Sequence, residues 1–168
     1  MPGCSRPPTV LPNSSSDIRP AVRYTAYLGL GSNLGNSPRI LDAAVQTLRV
    51  HPRILAVRES SRRRTDPVGE GYNASFLNSA VRLNTDCDPT ELLALTQSIE
   101  AAHGRDRSRS DRTLDIDLLL VYDAMSARWL ARKFDPVLPH PRMHARPFVL
   151  EPLTELLQPD ELAQALQS

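Results

Sequence analysis

The chain has 168 residues, of which 40% are hydrophobic and 5% aromatic, with 20 Lys and Arg against 19 Asp and Glu for a formal net charge of +1. That is enough apolar material for an aliphatic core and a length that fits one ordinary domain, not two large ones. The charge balance gives no whole-chain argument for binding nucleic acid, no apolar run approaches a membrane span, and Cys4 and Cys87 lack both CxxC and zinc-ligand spacing.

Residues 1–22 carry Pro2, Pro7, Pro8, Pro12 and Pro20 with three serines in a row, Ser14 to Ser16. This composition predicts a disordered tail, and without an apolar h-region it is no secretory signal, so a cytoplasmic setting fits. Residues 23–168 form the expected domain, and no repeat interrupts it.

Tyr24 to Leu30 reads as a strand ending at Gly31. Ser37 and Pro38 make a cap and first-turn pair, and Ile40, Leu41, Ala44, Val45 and Leu48 recur at helical spacing up to Val50. Ile54 to Ser60 and Phe76 to Leu83 read as strands, the second with Phe76, Asn78, Ala80 and Arg82 on one side. Asp88, Pro89 and Glu91 spell a capping box for a second helix, whose stripe is Leu92, Leu95, Ile99 and Ala102 and whose stop is Gly104. Leu114 to Tyr122 is the last clear strand. Strand, helix, strand, strand, helix, strand is the order of a ferredoxin-like βαββαβ core, an α/β (α+β) fold with an antiparallel sheet covered by helices. A proline-rich loop and a small helical or irregular end follow from residue 135.

The first strand runs into Gly29-Leu-Gly31-Ser-Asn33-Leu-Gly35. The third glycine is one place late for GxGxxG, and no Gly-Lys-Ser/Thr follows, so neither a Rossmann nor a Walker A loop is spelled. The segment reads as a tight turn in which Asn33 and Gly35 support the helix entrance.

Asp115 and Asp117 stand two apart in an apolar strand and therefore project to one side, with Leu114, Ile116, Leu118 and Leu120 facing the other way. Two such carboxylates repel unless a cation lies beside them. Magnesium prefers oxygen ligands and joins carboxylates to phosphate oxygens, and Arg105, Arg107, Arg109 and Arg112 stand just before the pair, ready to neutralise a polyphosphate. The combination favours phosphoryl-type transfer over a glycosidase pair. The competing reading is solvated edge residues, or partners for Arg112.

Gln97 and Glu100 lie three apart on the second helix and either read a nucleotide or sit exposed. Phe76 beside Asn78 suits a flat heterocycle with hydrogen-bonding edges, or is a core contact next to a polar strand end. His140, held between Pro139 and Pro141, can donate to phosphate. Arg142 and Arg146 can add anion contacts, and Phe148 a second aromatic wall. His144 lies four residues after His140, but no HExxH pattern makes the two a metal pair.

Ala26-Tyr-Leu-Gly-Leu-Gly-Ser-Asn-Leu-Gly35, Phe76-Leu-Asn78, Gln97-Ser-Ile-Glu100, Arg112-Thr-Leu-Asp115-Ile-Asp117, Leu138-Pro-His140-Pro-Arg and Arg146-Pro-Phe148 follow in this order. Together they resemble the 6-hydroxymethyl-7,8-dihydropterin pyrophosphokinase family of folate biosynthesis, over Ala26 to Leu153. The resemblance implies a ferredoxin-like monomer that uses ATP with two Mg2+ ions and transfers pyrophosphate to the pterin, releasing AMP. It implies that Asp115 and Asp117 hold the metal ions. Gln97, Glu100, Arg107, Arg112, Leu118 and His140 would line the nucleotide region, and Arg146 would contact phosphate. Thr65, Val68 and Asn78 would meet the pterin, with Phe76 and Phe148 on its two faces. ATP and hydroxymethyldihydropterin are the implied partners, with no nucleic acid and no membrane, and association with other folate-pathway enzymes stays open. Three positions depart from the family pattern. Asp66 replaces a common proline, no Trp-Gly-Pro precedes Arg112, and Asp135 stands at a usual arginine, with Arg132 or Lys133 as possible substitutes. The alternative reading is a noncatalytic nucleotide- or pterin-binding relative; an RNA-binding module would need an aromatic platform and a basic face that are absent.

Overall fold

The computed structural model describes residues 21–67, 74–106, 108, 110–125, 127 and 135–165. All but the last two residues of the expected tail lie outside this set, as do Val68, Arg107, Arg109, Arg132 and Lys133. In chain order the elements are β1 (Tyr24–Ser32), α1 (Ser37–Val50), β2 (Ile54–Glu59), β3 (Arg63–Thr65), β4 (Phe76–Thr85), α2 (Pro89–Ala102) and β5 (Asp115–Asp123). A 3-10 turn (Met143–Ala145), α3 (Pro147–Thr154) and α4 (Pro159–Ala165) complete it. The strands lie in the order β2-β4-β1-β5, all neighbours antiparallel, and β3 extends the β4 edge beyond β2. This is the ferredoxin-like arrangement expected from the element order.

Both long helices follow from local chemistry. In α1, Leu41, Ala44, Val45 and Leu48 are buried, a stripe one helical face wide. Its cap is Asn36, whose side chain accepts from the Arg39 N–H at 3.2 Å, and not Ser37 as the sequence suggested. Ser37 lies inside the first turn, where its hydroxyl accepts from Ser32 at 2.9 Å and ties the helix to the end of β1. In α2 the capping box closes as spelled: Asp88 accepts from the Glu91 N–H at 2.9 Å, and Glu91 accepts from the Asp88 N–H at 2.8 Å. Gly104 leaves the helix with φ of +68°, a conformation that costs glycine little.

One face of the sheet packs on α1 and α2 through Leu28, Leu30, Val81, Leu83, Ile116 and Leu118, which meet Leu41, Leu48, Leu92 and Ile99. Each such side chain removed from water contributes on the order of 1.5–3 kcal/mol before entropy is counted. Among the described residues, the opposite face is half covered. There Tyr27, Leu119, Leu120 and Tyr122 pack against Met143, Val149, Leu153 and Leu156 of the carboxyl-terminal segment. The Tyr27 hydroxyl donates to the buried Glu161 carboxylate and accepts from Arg82 Nε at 3.1 Å, and the Tyr122 hydroxyl donates to the Glu161 carbonyl at 3.1 Å. These bonds pin α4 to the sheet.

Leu120 faces this second cluster and not the helix-covered core, because β5 carries a bulge. Tyr27 pairs with Leu120 but Leu28 pairs with Leu118, so Leu119 is an extra residue and the in-out alternation inverts after it. Among the described residues, no helix is long and apolar enough to cross a membrane.

Candidate active site

On the half of the sheet that α3 and α4 leave open, the register sets out a floor. Gly29 of β1 stands between Ala80 of β4 and Asp117 of β5, and Gly31 stands between Asn78 and Asp115. Neither glycine raises a side chain, so the centre of the face is low, with an amide on one flank and two carboxylates on the other. Two strand spacings separate Asn78 from Asp115, about 10 Å between backbones. A cavity of about 390 Å³ sits over this floor. Its far wall is the start of α3, with Pro147, Phe148 and Val149.

The cavity brings together Thr65, Phe76, Asn78, Arg112, Asp115, Asp117, Arg146 and Phe148 from four separate stretches of chain. At the amide end, Asn78 is buried and its Nδ2 donates to Thr65 Oγ1 at 2.7 Å, so its Oδ1 turns toward Gly31. Phe76 lies two residues along β4 and pairs with Thr65.

At the carboxylate end, Arg112 pairs with Asp115 Oδ2 and Arg105 Nη1 stands 2.5 Å from Asp115 Oδ1. Arg146 Nη1 stands 3.3 Å from Asp117 Oδ2, and its guanidinium lies 5.7 Å from the Phe148 ring centre. Asn33 holds Arg112 in place. Its Oδ1 accepts from the Arg112 N–H at 2.7 Å, its backbone N–H donates to the Arg112 carbonyl at 3.0 Å, and its Nδ2 donates to Asp111 at 2.6 Å. The glycine-rich turn is thus a strut for the arginine, which goes beyond the helix-entrance role read from sequence.

His140 stands behind the carboxylates, its Nε2 3.8 Å from Asp117 Oδ1. The Arg142 N–H donates to His140 Nδ1 at 3.3 Å, which leaves the ring proton on Nε2 in the neutral form. Burial lowers the His140 pKa, with Arg146 and Arg142 adding to the effect against the pull of Asp117. A neutral ring with Nε2–H directed at the site is a hydrogen-bond donor and no base.

Four expected residues are not among those lining the cavity: His140, which reaches it only through Asp117, and Glu100, Gln97 and Leu118. Glu100 is buried behind β5, where Oε1 accepts from the Ile116 N–H at 2.8 Å and Oε2 lies 3.6 Å from Arg105. Gln97 is exposed on α2. Leu118 packs in the helix-covered core. Val68 and Arg107 lie outside the described residues. Conversely, Asp66, Arg142 and the two floor glycines line the cavity, and Arg105 reaches Asp115. The arginine run and the Pro-His-Pro-Arg segment already hinted at the arginines; the glycines needed the sheet register.

Asp115 and Asp117 present hard oxygen donors on one face, each beside arginine. No cluster of three or more His, Cys, Asp or Glu that could enclose a metal ion by itself occurs among the described residues. The two carboxylates are donors of the kind that hard divalent cations such as magnesium prefer.

The family model described as 7,8-dihydro-6-hydroxymethylpterin-pyrophosphokinase (HPPK) matches residues 27–158. The chain is 43% identical over 135 residues to the 2-amino-4-hydroxy-6-hydroxymethyldihydropteridine pyrophosphokinase of Bacillus subtilis, covering 79% of this chain and 78% of that one. It is 42% identical over 133 residues to the protein of the same description from Methylorubrum extorquens, covering 78% and 81%. A bifunctional protein of Lactococcus lactis, FolKE, is 33% identical over 138 residues, which are 81% of this chain and 38% of the relative.

Proposed function

The chain belongs to the 7,8-dihydro-6-hydroxymethylpterin-pyrophosphokinase family, and we propose that it transfers pyrophosphate from ATP to 6-hydroxymethyl-7,8-dihydropterin, giving the pterin diphosphate and AMP. The observation that carries this reading is the glycine floor, with a buried amide and an aromatic ring at one end and two arginine-flanked carboxylates at the other.

In this reading the pterin lies between Phe76 and Phe148 with its edge on Asn78 and Thr65. The triphosphate lies toward β5. Asp115 and Asp117 would hold the two magnesium ions that accompany ATP, which would neutralise charge on the phosphate chain. Arg112 and Arg146, relieved of part of their carboxylate pairing, turn to phosphate oxygens, where a planar guanidinium bonds in a fork. His140 donates its Nε2 proton to the same chain. Gln97, Glu100, Arg107 and Leu118 belong to the nucleotide side: Glu100 acts by holding the Ile116 backbone, and Leu118 offers the nucleotide only its main chain.

The hydroxymethyl oxygen attacks the β-phosphorus. The bond from that phosphorus to the α–β bridging oxygen breaks, AMP departs with the electron pair, and the hydroxyl proton is lost. Positioning of the two substrates and stabilisation of charge in a dry site carry such a reaction, with no dedicated base required of the protein. The enzyme works as a cytoplasmic monomer, with residues 23–168 as its domain.

The test is AMP formation by the purified chain with ATP, magnesium and the pterin. AMP appearing in step with pterin diphosphate is expected. ATP and pterin both bound but unchanged would leave a noncatalytic binding protein; ADP as product would refute pyrophosphoryl transfer.

A further inference from the structure

Resting on the pyrophosphokinase reading, we infer that Arg142 is a further phosphate-binding residue, a cation of this cavity that takes hold of the ATP triphosphate without first having to leave a carboxylate. Among the described residues, the charged ones lining the cavity are Asp66, Asp115 and Asp117 against Arg112, Arg142 and Arg146. Two of the arginines are already engaged, Arg112 with Asp115 and Arg146 with Asp117. Arg142 lines the same space, is exposed, and has no ion pair among the described residues.

Its place in the cavity follows from its neighbours. The Arg142 N–H donates to His140 Nδ1, and His140 faces Asp117, so Arg142 belongs to the carboxylate end. Asp66 follows Thr65, which bonds Asn78, so the unpaired acid belongs to the amide end. The cavity is therefore polarised, with a free positive charge where a polyanion would lie and a free negative charge where an amino-substituted heterocycle would lie.

The backbone that carries Arg142 is fixed. The His140 N–H donates to the Leu119 carbonyl at 2.9 Å, the Met143 N–H donates to the His140 carbonyl at 3.1 Å, and the Met143 side chain is fully buried. A long, exposed guanidinium on a rigid turn can sweep for phosphate oxygens while its origin stays put. Paired bonds from its fork then offset the rotamer entropy lost on capture. Arg112 and Arg146 must exchange partners to do the same, and that exchange costs each of them an existing charge-assisted bond.

The experiment is calorimetric titration of the full chain with ATP and magnesium, for the wild type, Arg142→Ala and Arg142→Lys, paired with steady-state kinetics. Arg142→Ala is expected to bind ATP roughly ten- to a hundredfold more weakly, the loss of one charge-assisted contact. Lysine, which keeps the charge and loses the fork, is expected to fall between. The ATP affinity of Arg142→Ala should also decline less steeply with salt. The KM for the pterin is expected to stay at its wild-type value, which a general structural defect would not leave untouched. Wild-type ATP affinity in Arg142→Ala, or an equal loss for ATP and pterin, would overturn the inference while the wild type still makes AMP. A wild-type chain that binds no ATP would overturn the pyrophosphokinase reading and this inference with it.

Discussion

Gly31 and Asn78 are register partners on β1 and β4, and a methyl group on Gly31 would stand 2.9 Å from Asn78 Oδ1. The glycine is required by that close approach, since the Asn78 amide is itself held by its bond to Thr65. Gly31→Ala must move the amide or the strand. We expect it to destabilise the fold by about 1–3 kcal/mol, the range for overpacking a filled site. Pterin affinity should fall further than ATP affinity. Thermal melts and titrations of both ligands check this, and unchanged pterin binding in a folded variant would remove Asn78 from the pterin edge.

Asp115→Asn and Asp117→Asn should each reduce turnover by on the order of a hundredfold or more, as for loss of a group that stabilises developing charge. The fold should survive, because both carboxylates face the cavity and the helix-side core uses their neighbours Ile116 and Leu118. Rapid-quench rates at saturating ATP, magnesium and pterin separate a chemical defect from weak binding. Near-normal rates in both variants would refute the assignment.

Phe76 and Phe148 enter the cavity from β4 and α3. Alanine at either position should weaken pterin binding more than ATP binding, because an aromatic wall acts on a flat ring and hardly at all on a phosphate chain. Calorimetry with each ligand in turn is the measurement. Equal losses for the two ligands would count against the pterin sandwich.

Glu155, just after α3, accepts from the Ser61 hydroxyl at 2.6 Å, the Ser61 N–H at 2.8 Å and Arg63 Nη2 at 2.9 Å. These bonds, the Ser61 hydroxyl first, hold its carboxyl down to about 2. A pKa lowered by folding contributes stability that is present above the ordinary glutamate range and lost as the pH falls through the folded value. The melting temperature of the wild type should therefore exceed that of Glu155→Gln at neutral pH, and the gap should close toward pH 2. A gap of constant size across the titration would show that the clasp acts through shape alone.

Much of the fold was legible because its cues are local. Asp88, Pro89 and Glu91 write the start of α2 in four residues, and the period of two in β5 delivers both aspartates to one face. The misses were decided at longer range. β3 is three residues, Arg63 to Thr65, with no apolar alternation, and it exists because β4 runs on past β2 and offers an unpaired edge. Asn36 and Ser37 are equally good caps, and the bond from Ser32 draws Ser37 into the helix. Gln97 and Glu100 sit about 60° apart around α2. That arc straddles the burial boundary, so one side chain is exposed and the other buried. Of the site, the carboxylates, arginines and aromatics were readable as residue types, but their meeting across β1 was not, since it depends on which glycine faces which partner.

The bulge at Leu119 divides β5 into two segments of opposite phase. Upstream, odd-numbered residues face the cavity; downstream, Leu120 and Tyr122 take that face and pack under the carboxyl-terminal helices. The strand is thereby indexed twice, once by the pairing of Asp115 and Asp117 with Gly31 and Gly29, and once by Leu120 against Tyr27. Drift in the hydrophobic residues that seat α3 and α4 can be absorbed below the bulge without sliding the aspartates along the glycine floor.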